Sequence, residues 1–183
     1  MEFVKSLRQQ KVIKYMFIAL LGSLLLAISS KIKIPFYPVP MTMQTFVVLF
    51  IGIAFGWKLG LATILLYLFE GIIGLPVFSG TPEKGLGIVY FTGPTMGYLV
   101  GFTVTVYLAG KFNYNKNFVM NFLKIVFAIS FIYIFGMLWL GTLIGWEKPI
   151  FRLGAQPFLL AELFKILIAT LAINQLQKLR KYI

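Results

Sequence analysis

The chain has 183 residues, of which 60% are hydrophobic and 12% are charged, and its formal net charge is +12. Soluble domains average about 25% charged residues, so this composition indicates a membrane protein, and the length suits one bundle of helices. The chain has no cysteine, histidine or aspartate, which excludes disulfides, thiolate or imidazole metal sites and a serine–histidine triad. No stretch matches the phosphate-binding loop G-x-x-x-x-G-K-[ST]. These absences disfavour an enzyme.

Apolar segments separated by charge, proline or glycine predict an all-α integral membrane protein with six transmembrane helices in one domain, residues 1–183. In chain order the segments are Tyr15–Ser29, Met43–Phe55, Leu59–Ile73, Thr95–Ala109, Phe118–Ile144 and Phe158–Leu176. The first follows basic residues, as in a signal peptide, but no cleavage site with a soluble domain after it is present, so we expect it to be retained.

The second and third segments are shorter than the roughly 20 residues that a perpendicular crossing needs. They can be read as one span with a re-entrant piece. Two short helices are favoured, because "GWKLG" between them is typical of a turn at the water interface.

Glycines at four-residue spacing, Gly93, Gly97 and Gly101, follow the fourth segment. Such spacing lets helix backbones approach closely in lipid, and we interpret it as ordinary packing.

Basic residues predict that both termini are cytoplasmic. With this orientation eleven of the 17 basic residues face the cytoplasm and five face outward, as the positive-inside rule requires. The inward set is Lys5, Arg8, Lys11, Lys14, Lys58, Lys111, Lys116, Lys124, Lys178, Arg180 and Lys181. The high net charge is therefore an orientation signal and does not indicate nucleic-acid binding.

The three outer loops are long and rich in proline, glycine and apolar residues. They contain "SSKIKIPFYPVPMTMQT", "GIIGLPVFSGTPEKGLGIVYFTGPT" and "GWEKPIFRLGAQP". Their prolines prevent helix, and their apolar side chains favour a cover over the outer mouth of the bundle. Solvated connectors are the alternative.

The stretch "AELFK" places Glu162 and Lys165 three residues apart, on one face of the sixth helix and about one turn from its outer end. A charge in mid-membrane costs roughly 2.5–3.5 kcal/mol, so such residues indicate a functional site. The pair can present an acceptor and a donor to a polar ligand, with Glu70 as a further candidate. A self-neutralising pair or a snorkelling lysine is the structural alternative.

Four motifs occur in order along the chain, "IPFYPVPMTMQT", "GLPVFSG", "GPTMGYLVGF" and "PFLLAELFK". Together they resemble the BioY family, the biotin-binding S components of energy-coupling factor (ECF) vitamin transporters. The resemblance implies a six-helix subunit of the cell membrane that captures biotin from outside with high affinity and needs no cofactor. Its implied partners are a transmembrane coupling subunit and two ATP-binding-cassette ATPases.

The resemblance also assigns roles to residues. An acid and a lysine on the family's last helix engage the ureido ring of biotin, and they map onto Glu162 and Lys165, although the family usually carries aspartate at the first position. The other implied binding residues are Gln44, Phe78, Ser79, Gly80, Lys84, Leu86, Thr95 and Tyr98.

Among these, Phe78, Leu86 and Tyr98 are expected to form apolar walls. Lys84, Lys33 or the glycine-rich backbone of the second loop is expected to hold the carboxylate tail. Pro82, Glu83 and Lys84 interrupt the denser glycine run that the family shows after "GLPVF".

S components also resemble one another in a stripe of small residues on the first helix that docks on the coupling subunit, and Ala19, Ser23 and Ala27 fit its spacing. Helix packing within the chain explains this stripe equally well. The rival functions are an S component for a different vitamin and, more remotely, a small membrane enzyme or assembly subunit.

Overall fold

The computed structural model describes the backbone of residues 2–183 and the side chains of residues 10–183, so Lys5 and Arg8 lie outside the described side chains. The helices and strands are α1 (Glu2–Lys31), β1 (Lys33–Ile34), β2 (Met41–Thr42), α2 (Gln44–Ile72), α3 (Met96–Lys111), α4 (Phe118–Ile144), α5 (Ile150–Gly154) and α6 (Leu159–Tyr182). Short 3-10 helices occupy Gly87–Thr92 and Gln156–Phe158. The strands form an antiparallel pair that closes the first outer loop.

Among the described residues, four helical stretches are long and apolar enough to cross a membrane. They are Gln10–Lys31, Gln44–Ile72, Phe118–Ile144 and Ile150–Tyr182. The protein is therefore a mostly helical membrane protein, as predicted.

The stretch from Gln44 to Ile72 folds back on itself at Gly56. Gln44 Nε2 donates to Tyr67 Oη at 2.6 Å, whereas 23 residues of straight helix would separate the two residues by about 34 Å. Gly56 interrupts the helix with φ 74° and ψ 172°, in a region of φ that favours glycine. Residues 44–55 and 57–72 thus form an antiparallel helical hairpin, in agreement with the prediction of two short helices.

Small residues set the distances between neighbouring helices. A Cβ at Gly101 would lie 2.5 Å from Ile132 Cα of α4, and one at Gly97 would overlap the α4 backbone at Phe135. These two glycines therefore pack α3 against α4, as their spacing predicts. Gly93 lies before α3, and it meets α4 through its carbonyl, which accepts from Trp139 Nε1 at 2.9 Å.

The small-residue stripe on α1 packs inside the chain. Ala19 and Ser23 are buried and Ala27 is partly buried, and Ser23 Oγ donates to Glu70 Oε1 of α2 at 2.8 Å. Because these residues allow α1 to approach α2, they are not free for another subunit in this arrangement of helices. This contact supports the alternative of packing within the chain, and the docking face stays a prediction.

The two ends of the bundle differ in charge. Lys14 Nζ donates to the Tyr182 carbonyl at 2.6 Å, so the start of the apolar part of α1 and the end of α6 meet at one end. That end carries Lys14, Lys58, Lys111, Lys116, Lys124, Lys178, Arg180 and Lys181. All four glutamates with described side chains lie toward the opposite end, where the three longer loops gather.

Candidate functional site

Glu162 and Lys165 lie in the first two turns of α6, under the loops. Their side chains form an ion pair of 2.7 Å, Glu162 Oε1 to Lys165 Nζ, and the residues are only 4% and 7% exposed. The pair faces the start of α2 and is shielded from lipid. A buried ion pair needs further hydrogen bonds to offset the loss of hydration.

Thr45 supplies part of that compensation. Its Oγ1 donates to Glu162 Oε1 at 2.8 Å and accepts from Lys165 Nζ at 3.0 Å. Lys165 Nζ also donates to the Thr42 carbonyl at 2.7 Å. All three N–H groups of the ammonium are therefore used within the protein, and Lys165 would have to release one of them to bind a ligand directly.

Two buried polar atoms in the described part of the chain have no hydrogen-bond partner. They are Glu162 Oε2 and Ser79 Oγ. Both residues line the same cavity, of about 50 Å³. An unsatisfied buried polar atom costs about 1–3 kcal/mol, more when it is charged. A ligand with polar groups on two sides could offset this cost by forming hydrogen bonds with both atoms.

Aromatic rings form much of the cavity wall. The Phe78 ring is 1% exposed, stacks on Tyr90 with centroids 4.7 Å apart and meets Tyr67 edge-on at 5.2 Å. Gly71 leaves room for this ring against α2, because a Cβ there would overlap it. The full lining is Val39, Pro40, Met41, Thr42, Gln44, Thr45, Phe78, Ser79, Tyr90, Thr95, Tyr98, Leu99, Phe102, Ile132, Tyr133, Phe158 and Glu162.

Side chains on α1 and α2 hold the backbone of the segment that carries Phe78 and Ser79. Ser30 Oγ and Tyr67 Oη both donate to the Val77 carbonyl, at 2.8 and 3.1 Å. Both residues are fully buried. Val77 is therefore fixed to two helices at once.

Lys31, the last residue of α1, extends this attachment. Its ammonium donates to the Phe78 carbonyl at 2.9 Å and to the Thr81 carbonyl and hydroxyl at 3.2 and 3.0 Å. From the opposite side, Tyr90 Oη donates to the Ser79 carbonyl at 2.7 Å. Burial raises the pKa of Tyr90, which keeps its hydroxyl protonated as a donor.

The structure brings most of the predicted binding residues to this cavity. Gln44, Phe78, Ser79, Thr95, Tyr98 and Glu162 line it, and Lys165 lies directly behind Glu162. Tyr98 is held by a hydrogen bond from its Oη to the Gly154 carbonyl at 2.7 Å.

Other predicted residues lie elsewhere. Leu86 is 41% exposed on the extended segment before the second loop's 3-10 helix, so it does not form a wall of this cavity. Gly80 and Lys84 lie outside the cavity, in the turn that follows Ser79. Glu70 is occupied by Ser23 and also lies outside.

Sequence reasoning missed Thr45, Tyr90 and Tyr133. Thr45 follows Gln44 directly in "MTMQT", so a polar residue opening an apolar helix was the available signal. Tyr133 sits among the aromatic residues of α4, and nothing in the sequence separates it from its neighbours.

Comparisons with known proteins agree with the motifs. The model of the BioY family matches residues 4–182. A probable biotin transporter BioY of Pyrococcus horikoshii is 33% identical over 153 residues, covering 84% of this chain and 90% of that protein. The biotin transporter BioY of Thermotoga maritima is 32% identical over 156 residues, covering 85% and 90%.

A solved structure has the same fold. The crystal structure of the S-component for biotin from an ECF-type ABC transporter aligns with a TM-score of 0.75 and covers 92% of this chain and 93% of that one. The two sequences are 23% identical, so this likeness concerns the fold alone.

Proposed function

Because the chain belongs to the BioY family, we propose that it is the biotin-binding S component of an ECF-type vitamin transporter. It captures biotin at the outer end of the bundle, under the loops. The single observation that carries this proposal is the pair of unpartnered buried atoms, Glu162 Oε2 and Ser79 Oγ, in one aromatic cavity.

The ureido ring of biotin matches those atoms chemically. Its two N–H groups need an acceptor, and Glu162 Oε2 is free to accept through charge-assisted hydrogen bonds, which are about twice as strong as neutral ones. Its carbonyl needs a donor, and the Ser79 hydroxyl is free to donate. Lys165 orients the carboxylate, and it can reach the ligand only by giving up Thr42, Thr45 or Glu162 as partner.

Between the ureido ring and the carboxylate tail the ligand is apolar, and the cavity offers that part aromatic walls, including Phe78, Tyr90 and Tyr98. Ligand pockets typically enclose about 300–1,000 Å³, whereas this cavity measures about 50 Å³. Entry of biotin therefore requires the loops to move apart.

The proposed topology is a single domain with six crossings and both termini in the cytoplasm, in a prokaryotic cell membrane. The hairpin at Gly56 supports two crossings within α2. The 16 residues of α3 span about 24 Å and supply another crossing. The basic end of the bundle is then cytoplasmic by the positive-inside rule.

Transport is driven by a separate energising module, composed of a transmembrane coupling subunit and two ATP-binding-cassette ATPases. The chain contains no phosphate-binding loop of its own, so ATP hydrolysis belongs to those partners. Docking of the coupling subunit on Ala19, Ser23 and Ala27 would require this stripe, which is largely buried against α2, to become exposed.

Calorimetry on the purified protein in detergent or nanodiscs tests the binding function. We expect saturable binding of biotin that thiamin and riboflavin do not displace. Glu162→Gln should weaken it at least tenfold, since it removes the charge that the ureido N–H groups need. Glu147→Gln, at an exposed glutamate, is the matched control. No biotin binding, or displacement by another vitamin, would refute the assignment.

A further inference from the structure

A second concavity lies directly outside the binding cavity. It encloses about 360 Å³ between the first outer loop, the second outer loop, the start of α3 and the end of α4. Tyr90 and Thr95 line both spaces, so the outer one, which we call the vestibule, adjoins the binding cavity. Once the loops move apart to admit it, a ligand longer than the inner cavity would extend into the vestibule.

Lys84 is the basic residue that lines the vestibule. It closes a turn in which Lys84 N donates to the Gly80 carbonyl at 2.8 Å. Its aliphatic stem lies over Gly80, where an added Cβ would come within 2.9 Å of Lys84 Cδ. Gly80 has φ +82°, which favours glycine, so the turn and the position of the lysine stem depend on the same residue.

The ammonium of Lys84 has no ion-pair partner within the part of the chain that the structure describes, where the only salt bridge joins Glu162 and Lys165. Two carboxylates are near in sequence or space, since Glu83 precedes Lys84 and Glu147 follows the α4 end of the vestibule, yet neither pairs with it. This cation is therefore available to an anionic group.

The other lysines of the outer loops are less suitable. Lys31 uses its ammonium on the Phe78 and Thr81 backbone, and Lys33 lies in β1 and lines neither space. Of the two lysines that the sequence analysis names for the carboxylate tail, Lys84 is the one that lines the vestibule.

We propose that Lys84 forms an outer subsite for the carboxylate of the ligand, with Glu162 and Ser79 holding the polar ring at the inner end. This inference rests on the proposed function. It adds that the protein binds an acid more tightly than the corresponding neutral amide. Because the contact is exposed to water, its contribution is modest, about two- to fivefold in affinity, and it decreases as salt screens the charges.

The test compares biotin with biotinamide, which lacks the negative charge, on the purified full-length protein at low and high salt. The native chain should prefer biotin by about two- to fivefold at low salt. In Lys84→Gln this preference should disappear while affinity for biotinamide stays unchanged, and Lys84→Arg should retain it. Lys33→Gln is the matched control, since it removes an equal charge from a neighbouring loop.

The outcomes separate the two proposals. If the native chain binds neither ligand, the proposed function fails and the subsite with it. If it binds both but prefers neither, or if Lys84→Gln keeps the native preference, only the subsite is refuted. An equal loss of preference in Lys33→Gln would also refute it, because the effect would then come from general surface charge.

Discussion

Thr45 contacts both members of the buried ion pair, so a change at this one residue is expected to have a large effect on ligand binding. Its hydroxyl donates to Glu162 Oε1 and accepts from Lys165 Nζ. Hydrogen bonds to charged groups contribute about 1.5–3 kcal/mol. The orientation of the Glu162 carboxylate, and with it the direction of the free Oε2, depends on this residue.

Replacing Thr45 by valine keeps the shape of the side chain and removes both hydrogen bonds. We expect Thr45→Val to weaken biotin binding about 10- to 100-fold, measured by calorimetry, and Thr45→Ser to keep most of the affinity. Thr103→Val, at a partly buried threonine whose hydroxyl bonds only to the Val100 carbonyl, is the control. Native affinity in Thr45→Val would show that the pair orients itself without this hydroxyl.

At the residue scale, charge in an apolar run was a strong signal and neutral polarity was at most a weak one. Glu162 and Lys165 stand out because burying charge in lipid is costly. Thr45 and Tyr133 carry no such signal, because threonine and tyrosine are ordinary in membrane helices. Their roles depend on α2 and α4 meeting α6, which is a property of the fold.

Among the elements, the end of α1 and the second outer loop act as a connected unit. Ser30 and Lys31 donate to the carbonyls of Val77, Phe78 and Thr81. The loop segment that carries the cavity residues Phe78 and Ser79 is thus attached to a membrane helix. Movement of α1 relative to α2 would alter the cavity wall.

Lys31→Met removes the hydrogen bonds of the ammonium while keeping most of the apolar stem. Each lost bond is worth about 0.5–1.5 kcal/mol, so biotin should dissociate about two- to tenfold faster. Amide hydrogen exchange across residues 77–81 should accelerate in the same variant. Lys33→Met, in β1, should change neither quantity, and unaltered exchange in Lys31→Met would show that Ser30, Tyr67 and Tyr90 suffice to hold the loop.

Element boundaries were predictable where local chemistry sets them. The predicted Phe118–Ile144 matches α4 at both ends, because Asn117 Oδ1 caps its start by accepting from Met120 N and Gly145 ends it with φ 94°. The two-residue strands and the five-residue α5 were not predicted, since elements this short depend on contacts with the rest of the chain.

At the scale of the whole molecule, the sequence predicted the position of the loops and the charged end but not the closure of the cavity. Proline content predicted that the loops are not helical, although short helices occur in the second and third, and their apolar side chains favoured a cover over solvated connectors. Which side chains they place over the bundle depends on long-range contacts, such as Tyr98 Oη with the Gly154 carbonyl. The small residues of the α1 stripe could not be interpreted from the sequence, because small residues alone do not reveal which neighbouring helix or subunit they contact.

The orientation of the bundle can be tested directly because the chain has no cysteine. Tyr37 is 91% exposed in the first outer loop, and Lys116 is exposed between α3 and α4 at the basic end. In intact cells a membrane-impermeant maleimide should label Tyr37→Cys and leave Lys116→Cys unlabelled, and both should react once the membrane is permeabilised. The reason is that basic residues are retained on the cytoplasmic side during insertion. The reverse labelling would place the Glu162 cavity toward the cytoplasm, where it could not capture a vitamin from outside.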